Sequence, residues 1–516
     1  MRRNLPLLSL VAAVGAVYLG SFRGVFQFDD YNVIVGNPVA HGLGAFLADL
    51  PRGIRPLLKL TYTLNWIFGP GPFGFHLVNT ALHAANAVLL FRIARRVGGP
   101  SLSAFAAFVP ALWFAVHPVQ TEAVTYISGR SVSLMAFFYL SSLLAWLKGR
   151  EEGRPLLLYA ASPSLFLLAV LSKETAVTLP FALALAEGAR GGGKGWKDAF
   201  AAQAVHWAML ACLAFLLLAH PGYGRLLESC FGIRSASENL LTQVGGIAYL
   251  LSRLILLNAQ NIDPDLPVVR EGTASLLPPA LLLLLLLAAG AYAFRKRSLA
   301  GFGILWFFLH LLPTNSIVPR LDVANERQLY LASWGLFLAL ASFADRIPEG
   351  AWRRRAAVCA LLLAAMFGGF TVLRNAAYRS EVALWEDTAR KSPGKARAHN
   401  NLGYAYRRAG RFAEAREEYL RALAIDPGHP FARGNLGELE RMGIGPSPSS
   451  GRRSSPVRPP PVAHQATERG VVPEEGVEPS RPCGHGILSP ARLPVPPLRL
   501  VPGRPPRSPF IHRLPR

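Results

Sequence analysis

The stretch Phe26-Gln27-Phe28-Asp29-Asp30-Tyr31-Asn32 puts two adjacent carboxylates directly after an apolar run, residues 5–25, that is long enough to cross a bilayer. A carboxylate in such a place can accept the proton of an attacking hydroxyl. It can equally be a solvated charge at a helix end, since charges flank spans commonly. The later turns on the same side shift that balance. They carry Arg55, then His117, Glu122 and Arg130, then Lys173 and Glu174, then Asp263 and Asp265, and finally Arg320, Asp322, Glu326, Arg327 and Tyr330. Charges at membrane depth are costly and tend to line a cavity. Arginine forks hold phosphate in two-point contact. Carboxylates and several cations in one cavity suit transfer from a lipid phosphate, with the spans admitting a prenyl chain from the side. The bland alternative is pairing: Glu122 with Arg130, or Lys173 with Glu174, as ion pairs that pin helices together.

On an extended loop Asp29 and Asp30 should point to opposite sides. One meets the acceptor, with Asp29 preferred, and the other positions the loop or binds a divalent cation. His76, Asn79, His83 and Asn86 recur at spacings that share one helix face. They read as interhelical hydrogen-bonding groups, and with no third ligand nearby no metal site is expected. The chain has no Gly-rich phosphate loop, G-x-S-x-G elbow or H-E-x-x-H motif.

The elements that must position these residues are membrane helices. The 516 residues are 51% hydrophobic and only 16% charged, which excludes a single soluble domain. A formal charge of +23 lies mostly in short turns and the C-terminal tail, so it reports topology and not a nucleic-acid surface. Cys212, Cys230, Cys359 and Cys483 are scattered without a C-x-x-C, which argues against a disulfide framework. Arg2 and Arg3 place the N-terminus in the cytoplasm, and the run after them reads as an uncleaved signal anchor. Inner turns follow at Arg92, Arg95 and Arg96, at Lys148 and Arg150, at 191–197, at Arg295 to Arg297, and at Arg346 to Arg355. Parity then leaves residues 240–257 unable to cross, so they are expected to be re-entrant or to lie in the outer interface. The count is about eleven spans, with everything after Arg374 outside.

From Ala396 the pattern becomes polar helices. Leu402-Gly403, Tyr406, Ala415, Tyr419, Ala422 and Pro427 match tetratricopeptide positions, and Leu436-Gly437 follows Leu402-Gly403 by about one 34-residue period. From Pro446 the chain is Pro- and Arg-rich without apolar periodicity and should be disordered. Its 493–498 segment matches what the antisense of a leucine tRNA gene would encode, so a read-through or frameshift origin is expected. The expected fold class is all-α: a polytopic helical bundle over 1–373, a short repeat segment over 374–445, and a disordered tail over 446–516.

Six stretches in order, FDDYNVIVGNP, RPLLKLTYTLNW with FHLVNTALHAANAVLLF, AVHPVQTEAVTYISGRSVSLMAFFYL, SKETAVTLP, LPTNSIVPRLDVANERQLYLASWGLFL and RNAAYRSEVALWEDTARKSPGKARAHNNLG, resemble the transmembrane and tetratricopeptide-repeat O-mannosyltransferases of the type-C glycosyltransferase superfamily. The resemblance covers residues 5–442. It implies a polyprenyl-phosphate-sugar donor, an extracytoplasmic site, inversion at the sugar, and a catalytic carboxylate at Asp29 or Asp30. It places the family's H-P-x-x-T-E on His117 to Glu122, its K-E on Lys173 and Glu174, and its E-R-x-x-Y on Glu326, Arg327 and Tyr330. The repeat array, long in family members, is short here.

The expected function is therefore an integral membrane glycosyltransferase of a bacterial inner membrane. It moves a mannose-like sugar to a hydroxyl of a protein or surface glycan outside, with the repeats open to a protein partner. Two other classes stay open at this stage. A lipid-linked sugar flippase would also carry intramembrane charge, though at the midplane and with internal repeats. A non-catalytic scaffold would tolerate loss of both aspartates.

Overall fold

The computed structural model describes residues 4–191 and 196–443, and the expected disordered tail lies outside them. Helices connected by turns make up this part, and no strand occurs among the described residues. The chain divides into two compact units, the first ending at Gly394 and the second beginning at Lys395.

Five helices of the first unit are long and apolar enough to cross a membrane: Leu5–Arg23, Pro72–Val97, Ile127–Glu152, Ala274–Arg295 and Ala351–Ala377. Two bent pairs raise the number to seven, Ala104–Val116 with Pro118–Val124 and Ala204–Ala219 with Pro221–Ile233. The count of eleven also needs four shorter helices: Ser162–Ser172, Leu179–Arg190, Leu299–Leu311 and Leu329–Ala344. At about 1.5 Å per residue each of these falls short of a 30 Å hydrocarbon core. The turns that join them therefore sit at membrane depth, where polar residues can meet.

Local chemistry sets these boundaries. Proline at the first position opens Pro56–Phe68 and Pro72–Val97, where a missing N–H costs nothing. Left-handed glycines end two others, Gly153 after Arg130–Glu152 and Gly191 after Leu179–Arg190. The 54° bend after Val116 follows from His117-Pro118. A residue before proline avoids the helical region, and His117 is extended at φ −75°, ψ 134°. The bend carries Thr121–Val124, and with it Glu122, back into the protein.

Trp306, Trp334, Phe302 and Tyr139 anchor the largest apolar core. Gly303 and Gly335 let the backbones of Leu299–Leu311 and Leu329–Ala344 touch, because a Cβ on either would collide with the other's carbonyl oxygen. That contact fixes where the turn Glu326–Gln328 emerges.

The segment expected not to cross is the helix Ala236–Arg253, begun by a capping box of Ser235 and Glu238. Its polar face is tied to loops: Asn239 donates to the Ser316 carbonyl and Gln243 donates to the Val323 carbonyl at 3.0 Å. Cysteines introduced at exposed Ser237 and Asp265 should both react with an impermeant maleimide from one side of the membrane. Labelling from opposite sides would make this helix a span.

In the second unit, Ala396–Arg408, Phe412–Ile425 and Pro430–Arg441 follow one another. Gly403 faces the Tyr419 ring, where a Cβ would meet Cδ1 at 2.7 Å. Ala415, Tyr419 and Ala422 are buried as repeat positions require.

Candidate active site

Asp29 and Asp30 do not lie on an extended loop. Phe28 adopts a left-handed φ of 49°, and the two aspartates then open a helical turn that continues through Tyr31–Val35. Their side chains are consequently separated by about 100° around a helix and not by the half-turn of a strand. Asp30 itself causes this. Its Oδ2 accepts from the Gln27 N–H at 3.0 Å, the reach-back of a capping carboxylate. Its Oδ1 accepts from the Ser128 N–H at 2.8 Å and from the Ser128 hydroxyl. Burial pushes the Asp30 carboxyl up to about 7, with the Ser128 and Gln27 donors pulling it down and the Asp29 charge pushing it further up.

Asp30 thus ties the first loop to the turn before Arg130–Glu152. Asp29 is also buried, and its N–H donates to the Tyr126 hydroxyl at 3.1 Å. The Gln27 side chain bonds the Tyr378 carbonyl, and Phe28 packs edge-on against Trp385 at 5.2 Å. Both oxygens of Asp30 are committed to the fold.

Four cations gather in one place, Arg55, Arg320 and Arg327 around Lys173. Arg55, held at φ 54°, ψ 54°, forks onto Glu174 with Nε–Oε2 at 2.8 Å and Nη2–Oε1 at 2.5 Å. That contact overcomes burial and holds the Glu174 carboxyl down at about 2. Lys173 is buried, so the expected Lys173–Glu174 pair is replaced by Arg55–Glu174. Burial depresses the Lys173 pKa well below its ordinary value, and nearby Arg55, Arg327 and Arg320 depress it further. Among the described residues, neither Lys173 nor Arg320 has a carboxylate within ion-pair distance. Arg327 faces Glu122, its N–H on Oε2 at 3.2 Å and its Nε 3.7 Å from Oε1.

The expected Glu122–Arg130 pair is not formed either. Arg130 is fully buried and donates to Asn79 Oδ1 at 2.7 Å and to the carbonyls of Thr61 and Phe75, with Tyr62 and Phe75 rings against its guanidinium. It pins three elements together. His117 spends Nδ1 on the Val119 N–H and Nε2 on the Leu254 carbonyl. Tyr330 lies in the core, its hydroxyl bonded to His83 at 2.9 Å and Asn86 at 3.0 Å. Asn79, His83 and Asn86 all bond across to other helices. Among the described residues, no three His, Cys, Asp or Glu side chains converge to hold a metal ion.

Tyr62 joins the two halves of the site and was not singled out from the sequence. Asp29, Asp30, Arg55 and Arg130 all lie within electrostatic reach of its hydroxyl. Nothing in its sequence surroundings marks it, since a tyrosine in an apolar helix reads as core. Arg374 and Asp387 were missed as well; they form a 2.6 Å ion pair, and Arg374 lies within electrostatic reach of Glu326.

Glu326 accepts from the Asn261 N–H at 2.6 Å through Oε1, while Oε2 is buried without a partner. Burial raises its pKa from 4.5 to about 8, with Arg374 opposing and Glu122 adding to the shift. A carboxyl that binds its proton more tightly when folded stabilises most at low pH, and that stability fades as pH climbs towards 8. The melting temperature should therefore fall between pH 5 and pH 8 by a component that Glu326→Gln abolishes. An unchanged slope in that variant would mean Glu326 is ionised throughout.

A tetratricopeptide-repeat family profile matches residues 396–429. Mouse protein O-mannosyl-transferase TMTC3 is 26% identical over 83% of this chain and 52% of its own length. The Caenorhabditis elegans protein O-mannosyl-transferase F38B6.6 is 25% identical over 83% of this chain and 63% of its own. The chain is a relative of the transmembrane and tetratricopeptide-repeat O-mannosyltransferases. A Drosophila melanogaster member, Tmtc2, reaches 32% identity over 39% of this chain. The chain spans between about half and under two thirds of the length of its first two relatives. The chain combines apolar helices long enough to cross a membrane with a repeat segment, and it is a multi-pass membrane protein.

Proposed function

We propose that the protein transfers a mannose-like sugar from a polyprenyl-phosphate donor to a hydroxyl of a protein or surface glycan, on the extracytoplasmic side of a bacterial inner membrane. The names of its relatives support the transferase class, and the donor and the side are our reading. One observation supports it: Tyr62 lies within electrostatic reach of both Asp29 and Arg55, and Arg55 belongs to a cluster of four cations with Lys173, Arg320 and Arg327. Asp29 takes the proton of the acceptor hydroxyl as its oxygen attacks the anomeric carbon. The bond from that carbon to the phosphate oxygen breaks, and the phosphate leaves with the electron pair. A phosphate departs without protonation, so a base for the acceptor matters more than an acid for the donor. Lys173, Arg320 and Arg327 receive the charge that develops on it.

Purified protein in lipid nanodiscs, given polyprenyl-phosphate mannose and envelope proteins from a strain lacking the gene, should add sugar to them. No transfer from any polyprenyl-phosphate sugar would overturn the reading. The orientation has its own test. A reporter fused after Lys395 should be active only if it works outside the cytoplasm, and cytoplasmic activity would reverse the topology.

A further inference from the structure

A second cationic site lies at the opposite ends of the same helices. Pro72–Val97 is about 39 Å long at 1.5 Å per residue. Its first end is held near Asp30 through Phe75, Arg130 and Ser128. Its other end opens into a cleft of about 990 Å³ walled by the turns at 95–102, 189–190, 297–299 and 342–346, together with Glu151. Five arginines line it, Arg95, Arg96, Arg190, Arg297 and Arg346, against two carboxylates, Glu151 and Asp345.

Both carboxylates are already taken. Glu151 is paired with Arg96 and, at 3.0 Å, with Arg190. Asp345 accepts from the Ser103 N–H and hydroxyl and is 3.1 Å from Arg353. Three guanidiniums are left without an anion among the described residues, each holding one neutral acceptor. Arg95 donates to the Leu102 carbonyl at 2.5 Å, Arg346 to the Ser298 hydroxyl at 3.1 Å, and Arg297 weakly to the Gly191 carbonyl at 3.5 Å. Arg297 also sits at a left-handed φ of 54°, a conformation that costs a residue with a Cβ about 1–2 kcal/mol. A turn needing only to reverse direction would use glycine there. Charge that only sets topology need not converge either, and these arginines come from three separate turns into one cavity.

We propose that this cleft seats the phosphate of an anionic phospholipid headgroup, at the membrane surface opposite the aspartates. Guanidinium forks match phosphate oxygens. A lipid is the source because the cleft walls are the ends of membrane-crossing helices, where headgroups are the abundant phosphates.

Native mass spectrometry of the full chain from zwitterionic detergent tests this, with phosphatidylglycerol and phosphatidylcholine offered in competition. The wild type should retain phosphatidylglycerol, and Arg95→Gln/Arg297→Gln/Arg346→Gln should lose at least about tenfold of that preference. The exposed arginines Arg295, Arg354 and Arg355 flank the cleft without lining it, so changing all three to Gln removes equal charge and should leave the preference intact. Equal loss in both triple variants would reduce the cluster to topology. Displacement of the lipid from the wild type by millimolar inorganic pyrophosphate would make it a site for soluble polyanions and overturn the proposal. If the triple variant does not fold, Arg297→Gln alone should lower the preference measurably, and no change would refute it.

Discussion

Asp29→Asn is expected to lower sugar transfer by about a hundredfold or more, the usual consequence of losing a general base, while donor binding survives. Asparagine keeps the shape of the side chain and removes its charge, and the leaving phosphate is held elsewhere. Asp30→Asn should behave differently. Its two oxygens accept from Gln27 and from both Ser128 donors, so an amide nitrogen in place of either oxygen sets donor against donor in a buried site. The expected outcome is a loss of about 1–3 kcal/mol of stability, read as a lower melting temperature, with transfer falling only as far as the loop is displaced. Measuring transfer, donor binding and melting on both variants separates the roles. Undiminished transfer in both would leave the enzyme reading without its base, and a scaffold built on the repeats would replace it.

Lys173→Met should separate binding from folding in the opposite sense. A buried ammonium surrounded by Arg55, Arg320 and Arg327 is unfavourable in the empty protein, because burial and like charge both oppose it. Methionine of similar length removes that cost, so the variant should melt at the same temperature as the wild type or higher. An arriving phosphate reverses the balance, since it supplies the anion that Lys173 lacks. Losing a charge-assisted hydrogen bond costs about 1.5–3 kcal/mol. That corresponds to roughly a tenfold to hundredfold loss in kcat/KM for the lipid donor. The depressed pKa also sets a direction with pH. The ammonium is fully charged only at lower pH, so donor binding in the wild type should weaken as pH rises, and Lys173→Met should flatten that dependence. A destabilised variant with unchanged donor binding would make Lys173 a structural residue.

The polar residues worth examining were legible in the sequence, but their partners were not. Glu122, Arg130, Lys173, Glu174 and Arg327 stand out because ionised groups in an apolar chain need a reason. Adjacency suggested Lys173 with Glu174, and closeness in sequence suggested Glu122 with Arg130. The bundle instead sets Glu174 on Arg55 and Glu122 on Arg327, and it buries Arg130 against Asn79 and two backbone carbonyls. The reason is the shortness of the central helices: turns distant in sequence meet at one depth, and desolvated charges take the partner that packing delivers.

Composition and periodicity alone determined an all-helical membrane bundle followed by tetratricopeptide-type helices, because both depend on local hydropathy and on small residues at fixed spacing. They also marked one set of turns as the place where polar residues collect, with arginine-rich turns between the other helix ends. The tertiary structure alone decided how Asp30 is tied down. Asp30 closes a turn on Gln27 and reaches Ser128 across the fold, a contact that no local pattern encodes. It also decided that Tyr62, an ordinary helix residue by sequence, lies within electrostatic reach of both the carboxylates and Arg55, because only packing brings the first loop near the helix Pro56–Phe68.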